Sequence, residues 1–189
     1  MTVQPGRRRD AAATKAALLD AAAALFAERG FDRTTVRDIA GHAGVNQALL
    51  FRYFGSKDAL FEEVMARGGR EHLAATTPEH LFGTSLRSML EPADSGLRNP
   101  ALETYLRSTG SDTAAAAIRR EVGEEYARVL ATLTDAPDAE LRADLALAWL
   151  LGIGLVREIA GTEPLASADP EHVSDLVLTA VRTLLERTE

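Results

Sequence analysis

The sequence predicts an all-α protein, and three observations carry that prediction. Apolar residues make up 46% of the 189-residue chain but aromatics only 5%. Ala, Leu, Arg and Glu dominate, with few β-branched runs, which suits helices better than sheets. Apolar side chains fall at helical spacing, as at Leu18, Ala22, Leu25 and Phe26. Helix-start chemistry recurs along the chain, including three capping residues each followed by proline: Thr77-Pro78, Asn99-Pro100 and Asp169-Pro170. A chain of this length holds one large or two small domains.

The first helix is expected from about Asp10 to Arg29, ending at Gly30. Arg7, Arg8 and Arg9 precede it. The three arginines and the Ala-rich stretch after them do not make a secretory leader, because Asp10, Lys15 and Asp20 interrupt the apolar core such a leader needs. A cytoplasmic protein is expected. The basic run reads either as an arm lying along or in the minor groove of DNA or as a disordered solubilising tail.

Residues 34 to 60, TTVRDIAGHAGVNQALLFRYFGSKDAL, are the most informative stretch. Thr35 and Asp38 have capping-box spacing before the apolar positions Val36, Ile39 and Ala40, so a helix starts near Val36. Gly44 ends it, since the sharp turn there needs a left-handed conformation that costs glycine nothing. Val45 offers a plug for the elbow, and Asn46 caps a second helix running through Gln47, Ala48, Leu49, Leu50, Phe51 and Arg52. Leu50 and Phe54, four apart, face inward and leave Gln47, Ala48 and Phe51 near the other side. Two short helices around a glycine turn form a helix-turn-helix over residues 35–54, whose second helix reads base edges.

Ile39-Ala40, Ala43-Gly44-Val45 and the run Leu50-Phe51-Arg52-Tyr53-Phe54-Gly55-Ser56-Lys57-Asp58-Ala59-Leu60 resemble the DNA-binding segment of the tetracycline-repressor (TetR) family of bacterial transcriptional regulators. The likeness is dense over about residues 14 to 65. It implies base reading by Arg37 and Gln47 and backbone contacts from Thr35, Tyr53 and Lys57. The family usually has Tyr at the Phe51 position. Phe51 has no hydroxyl for a phosphate, so its expected role is apolar contact with a thymine methyl or the sugar wall. The residue chemistry agrees: Arg grips guanine and Gln adenine bidentately, while Ala48 and Leu49 offer only apolar contact to thymine. Asn46, at the helix start, completes the candidate set. Lys57 stands in the first turn of a helix capped by Ser56, where its charge adds to backbone donors suited to phosphate. The competing reading makes Arg37 and Lys57 ordinary solvated charges and Phe51 and Tyr53 plain core aromatics.

The net charge of −7 looks wrong for a DNA binder, but it is unevenly spread. Residues 1 to 57 carry nine Lys/Arg against five Asp/Glu, and the remainder carries twelve against twenty-three. Only the basic end is suited to phosphate. The expected organisation is therefore a DNA-binding domain over residues 1–56, with the basic arm at 1–9, and an effector-binding and dimerisation domain over 57–189. Within the latter, helices are expected near 57–74, 78–90, 100–109, 112–134, 138–160 and 170–187.

The last two helices are unusual. Residues 145–156, LALAWLLGIGLV, are unbroken in their apolarity, and a helix apolar all round is expected to be buried all round. It is too short for a bilayer, which needs about 20 residues. The final helix carries a broad stripe of Val173, Leu176, Val177, Ala180, Val181, Leu184 and Leu185. A monomer of this size struggles to cover both surfaces, so a homodimer is expected through Ala148, Gly152, Val156, Val173, Val177, Val181 and Leu184. An internal monomer core is the alternative. The family resemblance implies the same pairing, a near-palindromic operator, and a small-molecule effector that enters the middle helices and changes the spacing of the two DNA-binding heads. The helix from Lys57 to Leu73 would be the lever. Effector candidates are Arg70, Phe82, Met89, Tyr105, Tyr126 and Trp149, with His72, Arg87 and Arg107 further possibilities.

No cysteine exists, so there is no disulfide framework and no thiolate metal site. The histidines, His42, His72, His80 and His172, lack His-x3-His or Glu-x2-His spacing, and neither a metal nor another cofactor is expected. No nucleophile-base-orienter set and no glycine-rich phosphate loop is present. The expectation is a ligand-responsive regulator, more readily a repressor than an enzyme or carrier; a constitutive or partner-controlled DNA binder is the alternative.

Overall fold

The computed structural model describes residues 5–91, 104, 107–108, 112–157 and 161–186, and every regular element among them is helical. The chain runs α1 (Pro5–Arg29), α2 (Val36–His42), α3 (Gln47–Phe54), α4 (Lys57–Ala74), α5 (Pro78–Leu90), α6 (Asp112–Ile118), a π-helical turn (Arg119–Gly123), α7 (Glu124–Ala131), α8 (Ala139–Leu155) and α9 (Pro170–Leu185). The expected 112–134 helix is thus interrupted by a π turn. Helix α1 starts five residues before the expected position, so Arg7 to Arg9 belong to its first turns rather than to an arm. The 100–109 helix and the Asn99-Pro100 start fall mostly outside the described residues; Thr104 and Arg107 within it are helical.

The capping chemistry sets the boundaries. Thr35 Oγ1 accepts from the Asp38 N–H (3.2 Å) and Asp38 Oδ2 from the Thr35 N–H (3.0 Å). The Thr35 hydroxyl, which donates to Asp38 Oδ2 at 2.6 Å, and after it the Thr35 N–H hold the Asp38 carboxyl below its ordinary pKa. Asn46 Oδ1 caps α3 through the Ala48 N–H at 2.8 Å, Ser56 caps α4 through Ala59 at 3.0 Å, and Asp169 caps α9 through His172 at 2.9 Å. Thr77 departs from this pattern. Its hydroxyl makes no backbone cap and instead meets His80 Nδ1 at 2.9 Å.

The core of the N-terminal end is built around aromatic edges. Leu18, Ala22, Leu25 and Phe26 of α1 meet Ile39 of α2, Leu50 and Phe54 of α3, and Leu60 and Phe61 of α4. The Phe61 ring stands edge-on to Phe26 (5.0 Å) and Phe31 (4.9 Å). Burying each such ring stabilises by about 1.5–3 kcal/mol, and each edge-to-face pair adds about 0.5–1.5 kcal/mol. Two ion pairs, Lys15 to Glu63 and Arg67 to Asp20 (both 2.7 Å), bind α1 to α4 on the outside. Exposed pairs of this kind contribute at most about 1 kcal/mol each. Helix α4 therefore belongs to the N-terminal core through Leu60 and Phe61 and also packs on α6 and the π turn.

In the second half, α5 packs on α7, α8 and α9, and α8 lies against α7 and α9. Complete burial of α8 is not observed. Ala143, Ala146, Leu150 and Gly154 face the core, but Leu141, Leu145, Trp149 and Leu155 are exposed. No helix among the described residues is long and apolar enough to cross a membrane.

Candidate nucleic-acid interface and the helical body behind it

The outward face of the helix-turn-helix follows from the inward one. Leu50 and Phe54 occupy the buried side of α3 and Ile39 and Ala40 that of α2, so Arg37, Gln47, Ala48, Phe51 and Arg52 are exposed. Gly44 takes φ +67° at the elbow and sets the angle between the two helices. An open concavity of about 590 Å³ between them is lined by Arg37, Ala40, Gly41, Val45, Asn46 and Gln47. The two residues expected to read bases thus share one surface with Asn46, whose carbonyl oxygen is occupied by its cap but whose amide donors point to no described partner. Phe51 is 50% exposed, too open for a core aromatic. Thr35 is exposed but bound into its capping box, and Tyr53 is half-buried against the core.

Lys57 is placed otherwise than its sequence position suggests. A side chain stretched toward phosphate was expected, yet its ammonium is folded inward. It donates to the carbonyls of Phe31 (2.9 Å) and Thr34 (3.1 Å) and lies 3.9 Å from the centre of the Phe31 ring. Those carbonyls lie in the α1–α2 connection, where no helical N–H can satisfy them, and the ring face stabilises the cation. Arg52 is the cation that sequence reasoning passed over: it is exposed on α3 beside Phe51. Its signal was available, since it follows Phe51 by one position on the face opposite Leu50.

The described effector candidates divide between surface and core. Arg70 is on the surface, Phe82, Met89 and Tyr126 are buried, and Tyr105 lies outside the described residues. Of the further possibilities, Arg87 and Arg107 are exposed. Trp149 is 42% exposed and lines an apolar trough of about 510 Å³ with Ala148, Gly152, Val156, Leu176, Val177 and Ala180. It therefore belongs to the outer face of α8 and α9. What the structure does bring together is His72, Ser85 and Tyr126. His72 Nε2 is 3.0 Å from Ser85 Oγ, and its ring stacks on Tyr126 at 5.7 Å and 4°. Burial lowers the His72 pKa, since the protonated ring would lack the water that stabilises its charge. Ser85, fully buried on α5, was missed because a lone serine in an apolar helix carries no positional signal.

The stripe on α9 also divides. Val173 and Val181, expected at an intersubunit face, are buried in the chain's own core with Ser174 and Leu185, and Val177 and Leu184 are only partly exposed. Leu176, at 61% exposed, and Ala180 turn outward instead. A second concavity, about 490 Å³, lies between α5 and α9 over Phe82, Gly83 and Leu178, with Arg87 and Arg182 at its rim. No group of three or more His, Asp or Glu among the described residues is placed to hold a metal ion.

Comparison with known proteins agrees with this layout. Residues 18–64 match the family model of bacterial regulatory proteins of the tetR family, and residues 79–185 match that of the tetracyclin repressor-like C-terminal domain. An HTH-type transcriptional repressor of Mycobacterium tuberculosis is 41% identical over 78 residues, which is 41% of this chain and 39% of that protein. The repressor KstR2 of Rhodococcus jostii is 52% identical over 48 residues, 25% of this chain and 24% of that protein. The chain thus spans less than half the length of these relatives. Among solved structures, a TetR-family regulator of Streptomyces coelicolor A3 aligns over 98% of this chain and 99% of its own, with TM-score 0.50 and 27% identity. NalD of Pseudomonas aeruginosa, the secondary repressor of the MexAB-OprM multidrug efflux pump, aligns over 96% and 100% with TM-score 0.61 and shares the fold at 19% identity. Both halves of the sequence match models of one family, and the second match alone covers more than half of it: the chain belongs to the TetR family of bacterial regulatory proteins.

Proposed function

We propose that this protein is a transcriptional repressor that binds a near-palindromic DNA operator as a homodimer and is released by a small molecule, and that it is not an enzyme. The observation that carries this reading is the α2–α3 face, where Arg37, Asn46 and Gln47 line one open surface beside exposed Phe51 and Arg52. Arg37 and Gln47 supply bidentate readers for guanine and adenine, and Phe51 suits a thymine methyl. Arg52 joins Thr35 and Tyr53 as a backbone contact, and Lys57 acts mainly by holding the α1–α2 connection.

The apolar trough supports the dimer. Trp149, Leu176, Val177 and Ala180 together make a surface of a kind that commonly marks a protein interface, and the small residues Ala148 and Gly152 let a twofold copy approach. This revises the interface by replacing Val173 and Val181 with Leu176, Ala180 and Trp149. Two recognition helices related by a twofold axis engage half-sites one helical turn, or a multiple, apart. For the effector, His72 of α4 with Ser85 and Tyr126 against it is the interior polar cluster best suited to contact. The functional division falls near residue 56, and the site of action is the cytoplasm, where the DNA is.

The test is selection of genomic fragments on the purified protein at near-physiological salt, followed by sequencing. Recovery of a palindromic site supports the reading and names candidate effectors through neighbouring genes. Retention of all fragments alike, abolished by salt, leaves a non-specific binder and overturns it.

A further inference from the structure

The connection between α1 and α2 is gripped from two sides by parts of the molecule distant in sequence. The Phe31 N–H donates to Ser108 Oγ at 3.1 Å, a buried hydrogen bond across 77 residues. Gly30, at φ +78°, lies so close to the same segment that a Cβ there would collide with the Arg107 carbonyl oxygen. On the other side the Phe31 carbonyl and ring are held by Lys57, the first residue of α4. Thr34, at the far end of the connection, is buried and donates to the carbonyls of Leu25 and Gly30. The next residue, Thr35, opens α2.

We propose that Ser108 is a positioning residue for the DNA-binding head: the Arg107–Ser108 segment of the helical body sets the orientation of the helix-turn-helix directly, through the Gly30–Thr34 connection, in parallel with α4. This rests on the α2–α3 face being the DNA-binding surface. The reason is mechanical. The peptide groups on either side of Phe31 are held separately, by Ser108 on the N–H and by Lys57 together with the Thr34 N–H on the C=O, so a shift of Ser108 relative to Lys57 must turn the connection or break a bond. With Phe31 wedged edge-on to Phe61, the connection has little room to absorb the shift internally. A displacement of the body near residue 108 therefore reaches α2 without passing along the length of α4. The close approach at Gly30 explains the residue there twice over, since a side chain would be strained by φ and would collide with the Arg107 carbonyl.

The chain has no cysteine, so paired spin labels can be placed at will. Labels at His42→Cys on α2 and Glu140→Cys on α8, both exposed and outside the proposed contact set, report head against body in the whole chain, diluted with unlabelled chain so that each dimer carries one labelled protomer. Ser108→Ala is expected to broaden and shift the distance distribution and to speed amide exchange at Phe31 by about fivefold to tenfold. Ser108→Thr, which keeps the hydroxyl, restores both. Gly30→Ala displaces the head further; should it fail to fold, Ser108→Ala decides. A Ser108→Ala distribution that superimposes on wild type overturns the proposal, even with faster Phe31 exchange, because the bond would then be local packing. Retention of a random-sequence duplex at low salt is measured on the same samples. If none is retained, the DNA-binding reading fails separately, since the distance measurement needs no DNA.

Discussion

The recognition helix α3 and the helix pair α8–α9 both turn part of their surface outward, and what they expose differs in kind. Helix α3 buries Leu50 and Phe54 and shows solvent Gln47, Ala48, Phe51 and Arg52, with Arg37 of α2 alongside. The pair α8–α9 buries Ala143, Ala146, Leu150, Val173 and Val181 and still leaves Leu145, Trp149 and Leu176 open. A surface of donors and cations gains little by meeting protein and much by meeting phosphate and base edges. A surface of leucine and tryptophan has the opposite preference, because only removal from water rewards it. One chain thus carries two unfilled surfaces that cannot substitute for each other.

The largest effect should come from breaking the apolar side. Trp149→Arg places a charge at the centre of the trough, and losses at such buried anchors run to about 2–4 kcal/mol. Dimerisation measured by sedimentation should weaken by at least about thirtyfold, with retention of a palindromic fragment falling in step. An unchanged dimer would move the interface elsewhere. On the polar side, Gln47→Ala should cost about 1–3 kcal/mol toward the selected fragment and leave random duplex binding unaltered. Equal loss on both by fluorescence anisotropy would make Gln47 a backbone contact rather than a reader.

Lys57→Met sharpens the comparison, because it keeps the stem and removes the donors. Two hydrogen bonds are lost, to Phe31, which keeps the Thr34 N–H, and to Thr34, so denaturant unfolding should show a loss of about 1–2 kcal/mol. The salt slope of DNA binding should change by clearly less than one unit, the amount expected for a full phosphate contact. A drop of a whole unit with unchanged stability would return Lys57 to the phosphate-binding set. Thr35→Ala, which breaks the capping box of α2, should cost about 1 kcal/mol in the same unfolding assay.

The smallest effect belongs to the body. Because burial lowers the His72 pKa, the unfolded chain takes up a proton there more readily than the folded one. The stabilising contribution of neutral His72 is therefore complete above its ordinary pKa of about 6.5 and is lost as pH falls through that value toward the lowered one. Thermal melts from pH 8 to pH 5 should show this slope in wild type and a shallower one in His72→Gln. Identical slopes would assign the acid sensitivity to carboxylates such as Asp38.

Most of the head was legible because its determinants are local. The Thr35–Asp38 box, the Asn46, Ser56 and Asp169 caps and the Gly44 elbow each depend on residues within four positions of one another, and each is found in the structure. Helices α4 and α5 have the expected bounds for the same reason. What was not legible is long-range. Lys57 has the composition of a phosphate contact, and only the folded chain brings the Phe31 and Thr34 carbonyls beneath it. Trp149 reads equally as a pocket wall or an outer face until α8 is rotated against α7 and α9.

The sequence by itself determined the all-helical class, the position of the helix-turn-helix, the basic and acidic ends and the candidates for base contact, since periodicity, caps and charge are properties of neighbouring residues. Tertiary structure alone decided which side of each apolar helix is covered. Val173 and Val181 lie one way and Leu176 the other on a stripe that is continuous in the sequence. It also decided that Ser108 meets Phe31 across 77 residues. The reason is physical: burial depends on the rotation of one helix against another, and that rotation is set by the packing of many side chains at once, none of which is written in any single segment.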